Sequence, residues 1–207
     1  MPYSYSFSFT FFLLLFSLFT LEVRSIVASE KEEESDTIAY VGVDKCRMCH
    51  ISHYDSWSGT KMSKAFDLLK KGVRMEAKKK AGIEDEDYTK NDFCLSCHTT
   101  GYGLPGGFIS LEETPDLTGV QCEMCHGPGS VYSKMMLKKQ GTYTRADYVK
   151  KGGLIMPSKE NGHCQESCHN EVSPFINPGR TFNFADRKAM GTHKHDTKQI
   201  SLPFDLF

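Results

Sequence analysis

All eight cysteines of this chain fall into pairs that are followed directly by a histidine. Three motifs have the spacing Cys-x-x-Cys-His, and the fourth has one more residue between its cysteines. The motifs are Cys46-Cys49-His50, Cys94-Cys97-His98, Cys122-Cys125-His126 and Cys164-Cys168-His169. Two thiols about one helical turn apart can form thioethers with the two vinyl groups on one edge of a porphyrin. The adjacent histidine then binds the iron, so the motifs predict four covalently bound haem c groups with four proximal histidines.

Zinc sites and disulfides are the alternative uses of paired cysteines. Zinc sites combine two such pairs, and they do not require a histidine at the next position every time. Disulfides suit an exported chain, but cysteines one helical turn apart make poor cross-links and would leave four histidines unexplained. Haem attachment accounts for every cysteine and for each adjacent histidine.

Four further histidines are candidates for the second axial position of a haem. His53 and His163 lie close to their own motifs, so neither can cross to the other face of the same haem and each could serve only a neighbour. His193 and His195 lie far from any motif and can approach from the C-terminal segment. His193 is therefore the first candidate for a distal ligand.

Methionine is the other usual haem ligand, and the chain has nine. Met62 and Met136 lie in segments that are predicted to be helical and that follow the first and third motifs. A methionine at helical spacing is most often a packing residue, so spacing alone favours packing for both.

The rest of the sequence predicts short helices joined by long loops. Helices are expected at 52–71, 131–139 and 145–151, and loops at 99–107 and 177–180. Because aliphatic residues are scarce outside the N-terminus, haem is expected to form most of the core. The expected fold class is mainly α with long loops, a small polypeptide wrapped around four stacked haems, with little or no β-sheet.

The N-terminus resembles an export signal. Residues 1–21 carry no charged side chain, and Phe11–Leu21 is almost wholly apolar. We expect a signal peptide at 1–29, an acidic linker at 30–39 and a tetrahaem cytochrome c domain at 40–207, in the periplasm or another extracytoplasmic space. Because no Lys or Arg precedes the apolar run, an uncleaved segment that associates with the membrane stays an alternative.

The charge distribution offers one further pattern. The net charge of −1 predicts no nucleic-acid partner. Residues 61–80 are rich in Lys and Arg, and the acidic run 84–87 follows them. This basic segment is either a solvated helix or a rim that docks an acidic redox partner.

The order of these motifs is similar to that of the tetrahaem cytochrome c-554 family, electron carriers of ammonia-oxidising bacteria. The strongest likeness covers 45–129, and it extends more loosely over most of the chain beyond the N-terminal segment. The matching segments are Ser56-Trp57, Asp87-Tyr88-Thr89, Leu117-Thr118-Gly119-Val120, Cys125-His126-Gly127-Pro128-Gly129, Thr181-Phe182-Asn183-Phe184, Lys188-Ala189-Met190 and His193-Lys194-His195.

The resemblance implies a ligand set. Family members carry three haems with two axial histidines each, and one haem, the second in sequence, with an open iron. Carried over by position, His98 would hold the open haem. His193 would be the distal partner of the His126 haem, although two extra residues, Gly191 and Thr192, precede it here.

Two distal positions depart from the family pattern. Where relatives have a histidine after Trp57, this chain has Met62, and where they have one after the third motif, it has Met136. By family pairing, Met136 would face the His50 haem and Met62 the His169 haem. Thioether ligation favours ferrous iron, so these two haems would have raised reduction potentials.

The function expected from these features is electron relay and not enzymatic turnover. The partners would be an upstream oxidoreductase and a downstream membrane or soluble acceptor. Two alternatives stay open: an enzyme that reduces a small nitrogen oxide such as NO at the open haem, and a subunit of a larger multihaem assembly.

Overall fold

A computed structural model describes residues 37–139, 141–175, 182–185 and 193–194. This part of the chain forms eight short α-helices and two 3-10 turns. The α-helices are α1 (Val43–Arg47), α2 (Ile51–Ser58), α3 (Met75–Lys80), α4 (Asp92–His98), α5 (Cys122–His126), α6 (Ser130–Met136), α7 (Arg145–Lys150) and α8 (His163–Ser167). The 3-10 turns are Phe66–Leu69 and Pro115–Leu117.

Pairing between extended segments is limited to one isolated antiparallel bridge, Thr99 to Thr118, in the described ranges. The predicted fold class, mainly α with long loops and little or no β-sheet, is therefore confirmed there. None of the helices in these ranges is both long and apolar enough to span a bilayer. The predicted signal peptide, most of the acidic linker and the loop at 177–180 lie outside the described residues.

Each attachment motif begins on a helix. Helix α1 carries the first cysteine of the first motif, while α4 and α5 each contain a whole Cys-x-x-Cys-His sequence. Helix α8 carries Cys164 and ends at Ser167. The three residues between the cysteines of the fourth motif are therefore helical, and Cys168 follows the helix directly. In α4 the side chain of Asn91 caps the helix by accepting a hydrogen bond from the Cys94 backbone N–H at 3.1 Å.

The single helix predicted at 52–71 is wrong, because the chain leaves the helix after Ser58. Gly59 caps α2, and residues 61–65 form a turn that leads into the 3-10 turn at Phe66–Leu69. The Ser63 hydroxyl donates to the carbonyls of Ser58 and Thr60, at 2.8 Å and 2.9 Å. A serine that bonds nearby backbone groups in this way competes with helical pairing.

Contacts with the segment before the third motif fix this turn. The Trp57 indole N–H donates to the Val120 carbonyl at 2.9 Å, and the Val120 N–H donates to the Met62 carbonyl, also at 2.9 Å. Met62 therefore lies in a turn that is tied to the third motif, and not on a helix as expected.

The other two predicted helices are present with different ends. Helix α6 begins at Ser130 and ends at Met136, three residues earlier than expected, whereas α7 ends at Lys150, within one residue of the prediction. A reciprocal capping box starts α7. The Thr144 hydroxyl accepts from the Asp147 N–H, and the Asp147 carboxylate accepts from the Thr144 N–H.

The apolar core of the described residues is small. It is one cluster that packs the 3-10 turn at Phe66–Leu69 against the second motif, and its members are Phe66, Leu69, Leu95, Phe108 and Leu117. Two threonines beside it, Thr99 and Thr100, are fully buried, and each hydroxyl donates to a backbone carbonyl. Among the described residues, side chains alone thus form an apolar core only beside the second motif.

Candidate haem sites

The proximal histidine of the second motif is held by a backbone carbonyl. The His98 Nδ1–H donates to the Ala65 carbonyl at 2.6 Å, and the His98 carbonyl accepts from the Gly119 N–H at 3.1 Å. Because a carbonyl can only accept, Nδ1 carries the proton and Nε2 keeps its lone pair for a metal. Such an outer hydrogen bond is the usual means of orienting a histidine ligand.

The third motif uses the same arrangement with a different partner. The His126 Nδ1–H donates to the Ile155 carbonyl at 2.9 Å, and the Ile155 N–H donates back to the His126 carbonyl at 2.8 Å. The segment after α7 therefore fixes both the ring and the backbone of this histidine.

Burial favours the neutral form of three of the four proximal histidines. It lowers the pKa of His50, His98 and His126, and at His50 and His126 neighbouring imidazoles add to the effect. The neutral imidazole is the form that binds iron. The fourth proximal ring, His169, stacks on Phe182 with ring centres 4.4 Å apart.

His193, the predicted distal ligand, lies opposite His126. The two ring centres are 6.2 Å apart and the rings are inclined by 27°. Two imidazoles on opposite sides of one metal would have ring centres about 6 Å apart, since each metal–nitrogen bond is about 2 Å and each centre lies ~1 Å further. The distance between the ring centres agrees with the prediction that His126 and His193 would together hold the iron of the third haem.

His53 and His163 both contact residues of other motifs or of the C-terminal segment. The His53 ring makes edge contacts with His50 at 5.7 Å and with His193 at 4.9 Å. His163 Nε2–H donates to the Met124 carbonyl at 2.9 Å, so it links α8 to the third motif.

Met62 and Met136 stay predicted distal ligands. Met62 is half-buried in its turn, and Met136 is half-buried at the last residue of α6. His195 lies outside the described residues.

Cysteines of different motifs are neighbours in pairs. Cys46 of the first motif and Cys122 of the third are neighbours, and their interaction raises the pKa of Cys46 and lowers that of Cys122. The Cys97 thiol of the second motif donates to the Ser167 carbonyl of the fourth at 3.8 Å. The neighbouring Cys168 lowers the pKa of Cys97 to about 6, and the pKa of Cys168 is raised. In the haem-bound protein these sulfurs would be thioethers and would not titrate.

A third pair completes a linear order of motifs. Cys125 of the third motif has Cys164 of the fourth as a neighbour, and burial together with this neighbour raises the pKa of Cys125 to about 11. Hydrogen bonds join the first motif to the third at Glu123, the third to the fourth between Met124 and His163, and the fourth to the second between Ser167 and Cys97. The motifs therefore follow one another in space as first, third, fourth and second. Nothing in the sequence indicates this order.

The surroundings of the motifs fit haem. Large apolar side chains next to the motifs are exposed, including Met48 at 57%, Ile51 at 49% and Phe93 at 53%. A porphyrin attached at each cysteine pair would be an apolar partner for such side chains. Together with the neutral proximal imidazoles, this supports the paired cysteines as haem attachment points.

One buried acid among the motifs is not predicted by the sequence. Glu123, inside the third motif, is 1% exposed. Its position between two cysteines of a helical motif gives no sign of burial, because neither hydrophobic periodicity nor a charged neighbour distinguishes it from an exposed glutamate.

Comparison with known proteins places these observations in a family. A family described as cytochrome c554 and c-prime matches residues 45–127. Cytochrome c-554 of Nitrosomonas europaea is 36% identical over 160 residues, which make up 73% of this chain and 62% of that relative. The match thus spans less than two thirds of that relative's length.

A solved structure, described as the reduced state of cytochrome c554 from Nitrosomonas europaea, has a TM-score of 0.63 at 32% identity. The match covers 77% of this chain and 86% of that one. This chain belongs to the cytochrome c554 family. The resemblance noted in the sequence is confirmed, and as a family member the chain is a multihaem c-type cytochrome that binds haem c.

Proposed function

We propose that this protein is an exported tetrahaem cytochrome that relays electrons from an upstream oxidoreductase to a downstream membrane or soluble acceptor. The observation that carries the proposal is the continuous order of the motifs, from first to third to fourth to second, which hydrogen bonds between neighbouring motifs define. Electrons pass efficiently only between closely spaced cofactors. Haems attached at neighbouring cysteines would form such a series, with its ends at the first and second motifs.

The haems of this series would be unequal. His126 and His193 would give the third haem two imidazoles, and the open haem implied by the family would be held by His98. Methionine at two distal positions would raise the potentials of the first and fourth haems relative to the third. Electrons would then collect at defined haems instead of being shared evenly.

Export is proposed from the N-terminal sequence. The apolar run at 11–21 would direct the chain out of the cytoplasm, to the periplasm or an equivalent space. Whether the segment is cleaved or stays as an anchor decides whether the carrier diffuses between partners or works at the membrane surface.

The basic segment at 61–80 is the proposed docking surface. The His98–Ala65 hydrogen bond places part of it beside the second motif, at one end of the haem series. Lys78 does not belong to this surface, because it is 3% exposed and bonds inside the protein. The other basic side chains of the segment are exposed, and they are Lys61, Lys64, Lys70, Lys71, Arg74, Lys79 and Lys80.

A redox titration monitored by electron paramagnetic resonance tests the relay on the purified holoprotein. The proposal predicts four reversible one-electron steps, complete reoxidation by an added acceptor, and no catalytic consumption of NO. Sustained NO turnover at the His98 haem would replace the relay with the enzymatic alternative. Sedimentation of the same sample tests the third alternative, a subunit of a larger assembly.

Ionic strength tests the docking surface. The reduction rate by an acidic redox protein should fall as salt rises, because exposed charges are screened within about 10 Å at 0.1 M salt. Lys61→Glu combined with Lys64→Glu should reduce this rate further, whereas Lys138→Glu, an exposed lysine outside the segment, should not. A rate that is independent of salt would exclude the surface.

A further inference from the structure

Glu123 is a buried acid at the centre of the paired first and third motifs. It is 1% exposed, and its oxygens accept hydrogen bonds from three backbone N–H groups. Val41 and Gly129 donate to one oxygen, at 2.9 Å and 2.7 Å, and Gly42 donates to the other at 2.8 Å. No lysine or arginine of the described ranges forms an ion pair with it.

The bonding pattern favours the charged form of this group. Both oxygens accept N–H bonds, which suits a carboxylate, because a protonated carboxyl would also have to place its own O–H among these donors. Burial raises the pKa of Glu123, and the three N–H bonds act in the opposite direction. The backbone amides thus hold a negative charge inside the protein without a positive side chain beside it.

This charge lies between the haem attachment points of two different motifs. Glu123 directly follows Cys122 in the third motif, and its carboxylate accepts from Val41 and Gly42, which lead into helix α1 and Cys46 of the first motif. The carboxylate therefore lies where the two motifs meet. A buried charge is poorly screened by salt and acts strongly on its neighbours.

We propose that the Glu123 carboxylate is a fixed internal charge that lowers the reduction potentials of the first and third haems. A negative charge near a haem favours the ferric state, since reduction adds an electron to the same region. The inference rests on the proposed haem attachment at those two motifs. Glu123 acts as a positioning and electrostatic residue and does not ligate iron.

The test compares Glu123→Gln with Gln121→Ala in the haem-loaded full chain. Gln121 is a matched control because it is 3% exposed and accepts the Val43 N–H at 2.9 Å, so its loss disturbs the same N-terminal segment without a change in charge. Potentials are read from a redox titration monitored by electron paramagnetic resonance. Intact mass under denaturing conditions counts the attached haems in each variant.

The proposal predicts that E123Q shifts the ferric–ferrous equilibrium of the first and third haems at least tenfold towards ferrous, about 59 mV for one electron. The second and fourth haems and all four potentials of Q121A should stay near the native values. Unchanged potentials in E123Q with four haems attached would overturn the inference and leave the relay intact. An equal shift in Q121A would also overturn it, since packing would then be the cause.

Glu123→Asp is the second variant, for use if E123Q does not fold or does not attach its haems. It keeps the charge on a shorter side chain, so the first and third potentials should stay close to native even if stability falls. A tenfold shift in E123D would contradict the proposal. If the native protein lacks haem at the first or third motif, the proposed function itself is contradicted. The mass measurement distinguishes that result from a failure of the Glu123 proposal alone.

Discussion

The ring centres of His126 and His193 lie 6.2 Å apart, with an angle of 27° between the ring planes. Two features hold this pair. The His126 Nδ1–H is bound to the Ile155 carbonyl, and the Lys194 N–H, next to His193, donates to the Ser56 hydroxyl at 2.7 Å. The distal candidate therefore lies beside His126 of the third motif, and its neighbour Lys194 is bound to helix α2, which follows the first motif.

His193→Ala should remove the distal ligand of the third haem. One low-spin ferric signal should disappear and a high-spin signal should replace it, because the iron would lose its sixth ligand. Electron paramagnetic resonance of the oxidised protein measures both, and added imidazole should restore the low-spin form. Lys194→Ala is the control, since its backbone N–H still reaches Ser56. An unchanged low-spin spectrum in H193A would assign the ligand to another residue.

Met62→Ala and Met136→Ala should each abolish part of the far-red sulfur-to-iron absorption band of the oxidised protein. Loss of a thioether ligand should also lower the potential of the haem concerned. Met135→Ala is a control, because this half-buried methionine is next to Met136 but is not a predicted ligand. If the native oxidised protein shows no such band, both methionines are packing residues.

Thr144→Ala should destabilise the protein by about 1 kcal/mol, the usual cost of removing an N-cap side chain. The substitution removes the hydroxyl that accepts the Asp147 N–H at the start of α7. Chemical denaturation of the holoprotein measures the free energy of unfolding. Lys150→Ala, an exposed position of the same helix, should change it little, and equal values for the two variants would mean that the cap is not needed.

Asp147→Asn should remove a pH-dependent contribution to the free energy of unfolding. Hydrogen bonds from Lys151 and from Thr144 hold the pKa of Asp147 well below its usual value. A lowered folded-state pKa gives stability that is present above the unfolded value, about 3.9, and is lost as pH falls below it. The stability gap between native protein and D147N should be constant from pH 5 to 8, roughly, and should narrow progressively as pH falls below about 4, until Asp147 is protonated in the folded protein as well. A gap that does not narrow at all between about pH 5 and about pH 2 would contradict this.

Lys78→Met should destabilise the 70–88 region on the order of 1–2 kcal/mol, because buried hydrogen bonds to a charged group are lost. The Lys78 ammonium donates to the Lys70 carbonyl at 2.8 Å and to the Asp85 carboxylate at 3.0 Å. Thermal unfolding and amide hydrogen exchange measure the effect. Lys79→Met is the control, since Lys79 is exposed, and equal protection in both variants would exclude an anchoring role.

The attachment chemistry and the fold class could be predicted from sequence because they depend on local patterns. A Cys-x-x-Cys-His motif specifies its chemistry within five residues, and scarce aliphatic residues indicate a core that side chains do not fill. The family resemblance added candidate ligands that spacing alone could not distinguish from packing residues, as at Met62.

The features that could not be predicted depend on contacts between distant residues. The predicted helix at 52–71 is broken because Ser63 bonds local carbonyls and because Val120, far along the chain, accepts from Trp57. The order of the motifs and the burial of Glu123 likewise arise from packing between segments. The burial of Lys78 could not be predicted either, because Lys78, Lys79 and Lys80 are alike in sequence and only packing determines which of them is buried.

The haem count of the mature protein tests the central claim most directly. Intact mass under denaturing conditions, after extraction with acidified solvent, should equal the polypeptide plus four haems, because thioether bonds survive treatment that removes haem held by coordination alone. Peptide mapping should place one haem at each motif, the fourth with its longer spacing included. A mass with fewer than four haems, or haem that is extracted by the solvent, would contradict the account of a tetrahaem cytochrome.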